Sequence, residues 1–160
     1  MRFTRDVDLT VAVASDGEAE ALAADLAAAG YTIAAVIEHE ARGGLSIVRL
    51  RSRARIHVDL LVASSGIERE SIAAASMVAL PDVGEIPIAR AEDLLATKIL
   101  SMSAQRPPDR MDARGLLLAN PALDLALTRD RLRLIRERGF DRGEDLEAKL
   151  ADVLRELETA

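Results

Sequence analysis

Residues 6–13 read D-V-D-L-T-V-A-V, so polar and apolar side chains alternate near the start of the chain. This period of two predicts a β-strand, because successive side chains of a strand point to opposite faces of the sheet. One face would carry the carboxylates of Asp6 and Asp8. The apolar side chains of the other face are Val7, Leu9, Val11 and Val13. A fold that contains this strand has to accommodate two like charges side by side.

The sequence pattern changes near residue 90. Before it, strand patterns at residues 31–38, 45–50 and 55–62 alternate with helix patterns at 19–29 and 66–76. Residues 77–88 predict brief strands interrupted by Pro81, Gly84 and Pro87. After it, helices are predicted at residues 91–103, 108–119, 129–138 and 143–157, and Gly30 and Gly139 each end a helix. We therefore predict an α/β (α+β) fold with a mixed sheet flanked by helices in residues 1–89, followed by a C-terminal helical region in residues 90–160.

Composition excludes several classes of function. The 160 residues include no cysteine, which rules out disulfides, thiolate-bound zinc and cysteine nucleophiles. A formal charge of −6 means that a nucleic acid would have to meet a local basic patch, and 2% aromatic residues leave no platform for stacked bases. The apolar runs are too short to span a bilayer, and the charged N-terminus does not resemble a signal peptide. We expect a cytoplasmic protein that does not enter a membrane.

A third carboxylate occurs in residues 55–62, which read R-I-H-V-D-L-L-V. Alternation predicts that Asp59 shares one face with Arg55 and His57. The residues predicted to face the core are Ile56, Val58, Leu60 and Val62. If this strand lies beside the first, Asp59 approaches Asp6 and Asp8, and the three carboxylates could bind Mg²⁺, which prefers oxygen ligands. Such a site suits phosphoryl or nucleotidyl transfer. The alternative is that Asp6 and Asp8 are solvent-facing residues of an edge strand.

Two segments together resemble a known superfamily. Residues 2–9, R-F-T-R-D-V-D-L, look like the R-x-T-x-D-h-D-h signature of the nucleotidyltransferase fold, and V-D-L-L at 58–61 resembles its third-carboxylate strand. The superfamily includes polymerase-beta-like enzymes, minimal nucleotidyltransferases and abortive-infection toxins. The likeness is closest to the AbiEii-type toxins, whose helical region resembles E-D-L-L-A-T-K at 92–98 and R-P-P-D-R-M-D at 106–112.

This resemblance implies a metal-dependent enzyme that transfers a nucleoside monophosphate from a nucleoside triphosphate (NTP) to an acceptor. It implies Asp6, Asp8 and Asp59 as catalytic residues and as ligands of Mg²⁺ or Mn²⁺. The residues that it implies for cofactor binding are Thr4, Arg5, Lys98, Arg106, Asp109 and Asp112. Lys98 would bind a phosphate, whereas Asp109 and Asp112 either face the active site or anchor basic side chains. The acceptor would be a tRNA, a protein or a small molecule, and an antitoxin would be a partner.

The chain departs from the superfamily pattern at one point. Members carry a Gly-Gly or Gly-Ser turn roughly ten residues before the first aspartate, where backbone N–H groups hold the triphosphate. Only five residues precede Asp6 in this sequence. Two hypotheses follow. The first is an enzyme whose start lies upstream, with a toxin of a toxin–antitoxin system as one setting for it, and the second is a degenerate, non-catalytic binding or antitoxin-like module.

Other polar residues have structural interpretations that compete with functional ones. We interpret His39 as structural or solvated, while His57 shares the face of Asp59 and is a weaker candidate for a substrate contact. Ser64, Ser65 and Gly66 are best explained as a helix cap. The arginines at 129, 131, 133, 136 and 138 alternate with acidic residues, which favours a salt-bridged helix face. A stripe formed by Arg49, Arg51, Arg53 and Arg55 is the better candidate for binding an anionic nucleotide or a nucleic acid; the alternative is an exposed sheet face.

Overall fold

A computed structural model describes residues 6–39, 43–103 and 107–159. By internal contacts the chain divides into two compact units, residues 1–64 and 65–160. The domain boundary that the sequence suggests near residue 89 stays a prediction. No helix within the described ranges is both long enough and apolar enough to cross a bilayer.

The first unit is a four-stranded mixed sheet with one helix. Its elements are β1 (Asp6–Thr10), α1 (Asp16–Ala28), β2 (Thr32–Glu38), β3 (Leu45–Arg51) and β4 (His57–Leu61). The strand order is β1-β4-β3-β2, with β1 parallel to β4 and the other pairs antiparallel. The predicted mixed sheet with helices is confirmed.

One apolar face of this sheet forms the core of the unit. The buried members of the cluster are Ala23, Val48, Leu50, Val58 and Leu60, with Val11, Leu22, Leu26 and Tyr31 packed against them. The strong alternation in β3 and β4 therefore places their apolar side chains under α1. Ile56 does not join this core, contrary to the prediction, because Ser52–Ile56 form a turn closed by the Ser52 N–H to Ile56 O bond of 2.9 Å. The Ile56 side chain is 44% exposed.

The ends of α1 follow from local sequence signals. Ser15 is the N-cap, and its Oγ accepts a hydrogen bond from the Glu18 N–H at 3.3 Å, while Glu18 Oε2 accepts one from the Ala14 N–H at 2.8 Å. At the other end Gly30 has φ +101°, and the next N–H, of Tyr31, donates to Leu26 O at 3.1 Å. This is the glycine-terminated helix end that the sequence predicts.

The second unit contains a two-stranded hairpin and five helices among its described residues. Its elements are α2 (Glu68–Ala73), β5 (Ser76–Leu80), β6 (Gly84–Ile88), α3 (Ala91–Ser101), α4 (Pro107–Ala119), α5 (Leu125–Glu137) and α6 (Leu146–Glu158). Pro87 lies within β6 and does not interrupt it, since β6 pairs with β5 alone and an edge strand tolerates proline. The predicted start of α5 at residue 129 is also wrong. The helix begins four residues earlier, because the Asp124 side chain accepts from the Ala126 and Leu127 N–H groups.

Helix α3 occupies the centre of the helical part of this unit. Leu95, Ala96 and Ile99 of α3 are fully buried. The buried residues of α5 are Thr128, Leu132 and Ile135, and those of α6 are Leu146, Leu150 and Val153. One ion pair is enclosed with them: Arg131 Nε donates to Asp93 Oδ1 at 2.6 Å, and the two side chains are 13% and 1% exposed. Asp93 Oδ2 is buried and accepts no hydrogen bond from the described residues.

Asp93→Ala should destabilise the protein strongly, because it leaves the buried Arg131 guanidinium without its counterion. We expect a loss of about 3–5 kcal/mol in the free energy of unfolding, measured by urea denaturation. Arg133→Ala, which removes an exposed ion pair with Asp130 on the same helix, should change stability by no more than about 1 kcal/mol. Equal losses in the two variants would contradict this account of the buried pair.

A second ion pair joins α2 to the end of α5. Both guanidinium terminal nitrogens of Arg138 donate to Glu70, at 2.8 and 2.6 Å. Hydrogen bonding from Arg138 lowers the pKa of Glu70 below its ordinary value of 4.5. A carboxyl with a lowered pKa in the folded state stabilises the protein above the unfolded-state pKa, and this contribution is lost as the pH falls through the folded-state pKa.

Glu70→Gln should therefore reduce the melting temperature at neutral pH. The difference from the wild type should shrink as the pH falls from about 4.5, where Glu70 becomes protonated in the unfolded state, through its lowered pKa in the folded state. Thermal melts of both proteins across the acid range measure this. Glu20→Gln, at an exposed position of α1, is the control and should track the wild type at each pH. A Glu70→Gln difference that does not vary with pH would show that the ion pair is not its cause.

Candidate functional site

The register of β1 and β4 places carboxylates next to each other. Asp8 pairs with Asp59, and Asp6 pairs with His57, in a parallel ladder. Paired positions of neighbouring strands share a face, and so do positions two apart on one strand. Asp6, Asp8 and Asp59 therefore lie on one face of the sheet, with Asp6 and Asp8 exposed and Asp59 buried.

An arginine of β3 completes the row that contains Asp8 and Asp59. Arg49 pairs with Asp59 in the antiparallel ladder, so the side chains of β3, β4 and β1 follow each other as Arg49, Asp59 and Asp8. Arg49 Nε donates to Asp59 Oδ1 at 2.7 Å, and its NH2 group donates to Oδ2 at 2.6 Å. This is a bidentate pair, the strongest common geometry between a guanidinium and a carboxylate.

The neighbouring row has a histidine where the first row has its central aspartate, and its contacts are weaker. Arg51 of β3 pairs with His57 of β4, which pairs with Asp6 of β1. His57 Nδ1 lies 3.8 Å from Asp6 Oδ1, which is too long for a hydrogen bond. The two side chains are 45% and 61% exposed, so solvent screens their interaction. The His57 and Asp6 side chains of this row are therefore more exposed to solvent than Asp59.

Electrostatics tie Arg49 first of all to Asp59. Its pKa is raised above the ordinary value by the hydrogen bonds and charge of Asp59; burial opposes this rise, and the charges of Asp6 and Asp8 add the smallest contributions. The repulsion expected between the carboxylates is therefore partly offset by a residue of the chain itself.

The carboxylate oxygens of this face are suitable ligands for a hard divalent cation, but those of Asp59 already bind Arg49. Asp6 and Asp8 offer the oxygen ligands that Mg²⁺ prefers, and Mg²⁺ is often held by one or two carboxylates plus substrate phosphates. Both oxygens of Asp59, by contrast, accept hydrogen bonds from Arg49. Among the described residues no three His, Asp or Glu side chains form a group that could hold a metal ion. While Arg49 is bound to Asp59, the arrangement fits a cation held by Asp6 and Asp8 and not one held by all three carboxylates at once.

A separate cluster in the second unit contains three more of the predicted site residues. Lys98 of α3 places its Nζ 3.2 Å from Asp109 Oδ1 and 3.0 Å from Asp112 Oδ2, both on α4. Partial burial would lower the pKa of Lys98, but hydrogen bonds to Asp112 and Asp109 outweigh this and raise it. The lysine is therefore cationic at neutral pH, and the two aspartates anchor it between the helices.

Some sequence predictions fall outside these two clusters. Thr4, Arg5 and Arg106 lie outside the described residues. The proposed arginine stripe is wrong beyond β3, because Arg53 and Arg55 belong to the turn after that strand, where Arg55 has φ +62°. Arg53 instead approaches Gly30 so closely that an added Cβ there would lie 2.7 Å from its guanidinium.

The Arg49–Asp59 pair is the feature of the site that sequence reasoning missed. A signal for it exists, since the strands predicted at residues 45–50 and 55–62 are separated by only four residues, a length that fits a hairpin. Positions 49 and 59 are equally distant from residue 54, as are 51 and 57, so the hairpin register pairs an arginine with Asp59. Reading the cross-strand partners as well as the strand faces would have found it.

Comparison with known proteins adds a family to this geometry. A family model described as "Nucleotidyl transferase AbiEii toxin, Type IV TA system" matches residues 1–158. A search of curated protein sequences finds no match to the chain. Because the family model covers almost the whole sequence, from before β1 to the end of α6, the chain belongs to the AbiEii nucleotidyltransferase toxin family of type IV toxin–antitoxin systems.

Proposed function

We propose that this protein is a cation-dependent nucleotidyltransferase that moves a nucleoside monophosphate from an NTP to an acceptor. The observation that carries the proposal is the row of carboxylates on β1 and β4, in a chain that belongs to a nucleotidyltransferase family. The acceptor is a tRNA, a protein or a small molecule, and the type IV toxin–antitoxin setting points to an antitoxin as partner.

Each residue of the carboxylate face has a distinct role in this proposal. Asp6 and Asp8 would hold Mg²⁺ or Mn²⁺ at the exposed surface of β1. The cation, when bound, supplies positive charge against the triphosphate and polarises the phosphoryl oxygens. Asp59 serves as a third ligand or as a base for the attacking group. Its buried position on β4 keeps its carboxylate in a fixed place beside Asp8.

One observation favours a second candidate function, a non-catalytic module that keeps the fold. The Asp59 carboxylate is already neutralised by Arg49 through two short hydrogen bonds. A face whose third carboxylate is permanently paired would hold a cation less well than three exposed carboxylates. Binding of the cation and nucleotide therefore separates the two candidates.

Divalent cation plus nucleotide should stabilise the wild type and not a variant without the β1 carboxylates. A ligand at about 100 times its dissociation constant adds about 2.7 kcal/mol to the free energy of unfolding. We expect the melting temperature to rise by several degrees when Mn²⁺ and a mixture of the four NTPs are added together. Asp6→Ala/Asp8→Ala should lose this rise.

The matched control removes two carboxylates from an exposed helix face of the same unit. Glu20→Ala/Asp25→Ala changes the net charge by the same amount but should keep the full wild-type rise. A rise that survives in Asp6→Ala/Asp8→Ala would place the ligand elsewhere. If no rise occurs in the wild type, the non-catalytic module is the better description.

Lys98 is proposed as a phosphate ligand, because it is a cationic side chain that is one-third exposed while two carboxylates fix its position. Lys98→Gln should weaken NTP binding by about tenfold or more, the size expected for one lost charged hydrogen bond. Calorimetric titration in the presence of Mn²⁺ measures it. Asp112→Asn, which keeps the lysine charge and one of its two anchors, should bind NTP within a few-fold of the wild type. Equal affinity in Lys98→Gln and the wild type would leave Lys98 a purely structural role.

A further inference from the structure

We propose that Arg49 is a built-in counterion that a divalent cation must displace before Asp59 can act as its ligand. This inference rests on the proposed function, because it concerns how the carboxylate face takes up the cation. It assigns Arg49 a positioning role: the guanidinium holds Asp59 while the site has no ligand, and it is released when the cation arrives.

The Arg49 contact competes with bidentate binding of a cation to Asp59. The guanidinium lies edge-on to Asp59 and uses one donor for each carboxylate oxygen, at 2.7 and 2.6 Å. A bidentate guanidinium fills the side of the carboxylate that points away from its own carbon chain, which is also where a bidentate cation would bind. Two positive charges cannot share that position, so cation and arginine compete.

Burial decides which member of the pair moves. The Asp59 side chain is 10% exposed and belongs to the central strand β4, whereas the Arg49 side chain is 42% exposed on the surface of the sheet. A buried carboxylate is unfavourable without a counterion. Asp59 therefore needs a positive partner at all times, and the mobile, half-exposed arginine can leave only when another cation replaces it.

The exchange also frees the Arg49 guanidinium, which can bind an anion, when the triphosphate arrives with its cation. A nucleotide arrives with its cation as a phosphate–metal complex. The displaced Arg49 then has an unsatisfied guanidinium on the same sheet face, and guanidinium groups bind phosphate oxygens bidentately. Cation and triphosphate should consequently strengthen each other's binding through Arg49, as reciprocal coupling requires.

Mn²⁺ binding without nucleotide tests the competition. The free ion is measured by electron paramagnetic resonance in the full chain and its Arg49→Gln and Arg51→Gln variants. Arg51 is the matched control, since it lies two residues along β3 on the same face, is exposed, and has the same charge. Arg49→Gln should bind Mn²⁺ about tenfold more tightly than the wild type, because no hydrogen-bonded guanidinium has to be removed. Arg51→Gln should differ from the wild type by about twofold or less, the remaining effect of one lost charge at a distance.

A stability measurement separates this role from a merely structural one. Without cation, Arg49→Gln should melt below the wild type, because Asp59 loses its counterion. Mn²⁺ should then raise its melting temperature by more than it raises that of the wild type. If Arg49 had only a structural role, the melting temperature of Arg49→Gln would lie below that of the wild type by the same amount with and without Mn²⁺. Should Arg49→Gln fail to fold, Arg49→Lys decides, since an ammonium keeps the charge but loses the bidentate contact, and it should bind Mn²⁺ more tightly than the wild type.

The outcomes distinguish this inference from the function on which it rests. If the wild type binds Mn²⁺ through Asp6 and Asp8, but Arg49→Gln and Arg49→Lys bind no more tightly than Arg51→Gln, the counterion exchange is overturned and the proposed function stands. If Mn²⁺ alone binds none of the proteins, the counterion exchange is overturned, and the melting shift with Mn²⁺ and NTPs together decides the proposed function. Tighter binding in Arg49→Gln that disappears when Asp59→Asn is added supports the exchange.

Discussion

The parallel pairing of β1 with β4 is the constraint on which the candidate site depends. A shift of one residue in that register would turn Asp59 away from Asp8 and toward the core, because strand side chains alternate between faces. The register is held by the apolar side chains on the opposite face. Val58 and Leu60 of β4 are buried in the cluster with Val48, Leu50 and Ala23, so the hydrophobic core determines which way the carboxylate points.

Carboxylates that hold cationic side chains recur through the described residues, and exposure determines what each pair can do. Arg131 and Asp93 are almost completely enclosed, so their pair can only stabilise the helices that it joins. Arg49 and Asp59 have the same chemistry, but the arginine is three times as exposed, at 42% against 13%. The enclosed pair is a fixed structural element, whereas the pair on the sheet has one partner that water can solvate when it leaves.

Local signals account for the parts of the fold that the sequence predicted well. Gly30 and Gly139 end helices through positive φ angles, and the alternation in β3 matches its burial. In β4 the apolar residues Val58 and Leu60 are buried as predicted, and Asp59 between them is buried as well. The failures come from contacts that no single segment encodes. In the sequence, Arg53 and Arg55 continue the alternation of β3. In the structure, the backbone hydrogen bonds of Ser52 with Arg55 and Ile56 form a turn there. Helix α5 begins at Leu125 and not at residue 129, because the Asp124 side chain caps its first turn.

The candidate site also combines features that a single strand encodes with features that arise only from the pairing of strands. The aspartates were identified from alternation and from family resemblance, both of which concern one strand at a time. Their chemistry depends on the cross-strand partner, because the Arg49 guanidinium donates a hydrogen bond to each carboxylate oxygen of Asp59. Because Arg49 already binds Asp59, a cation can use that carboxylate only if it binds Asp59 more strongly than Arg49 does. A divalent ion that carries a triphosphate has the advantage, since it brings twice the charge to Asp59 and an anion for the released guanidinium.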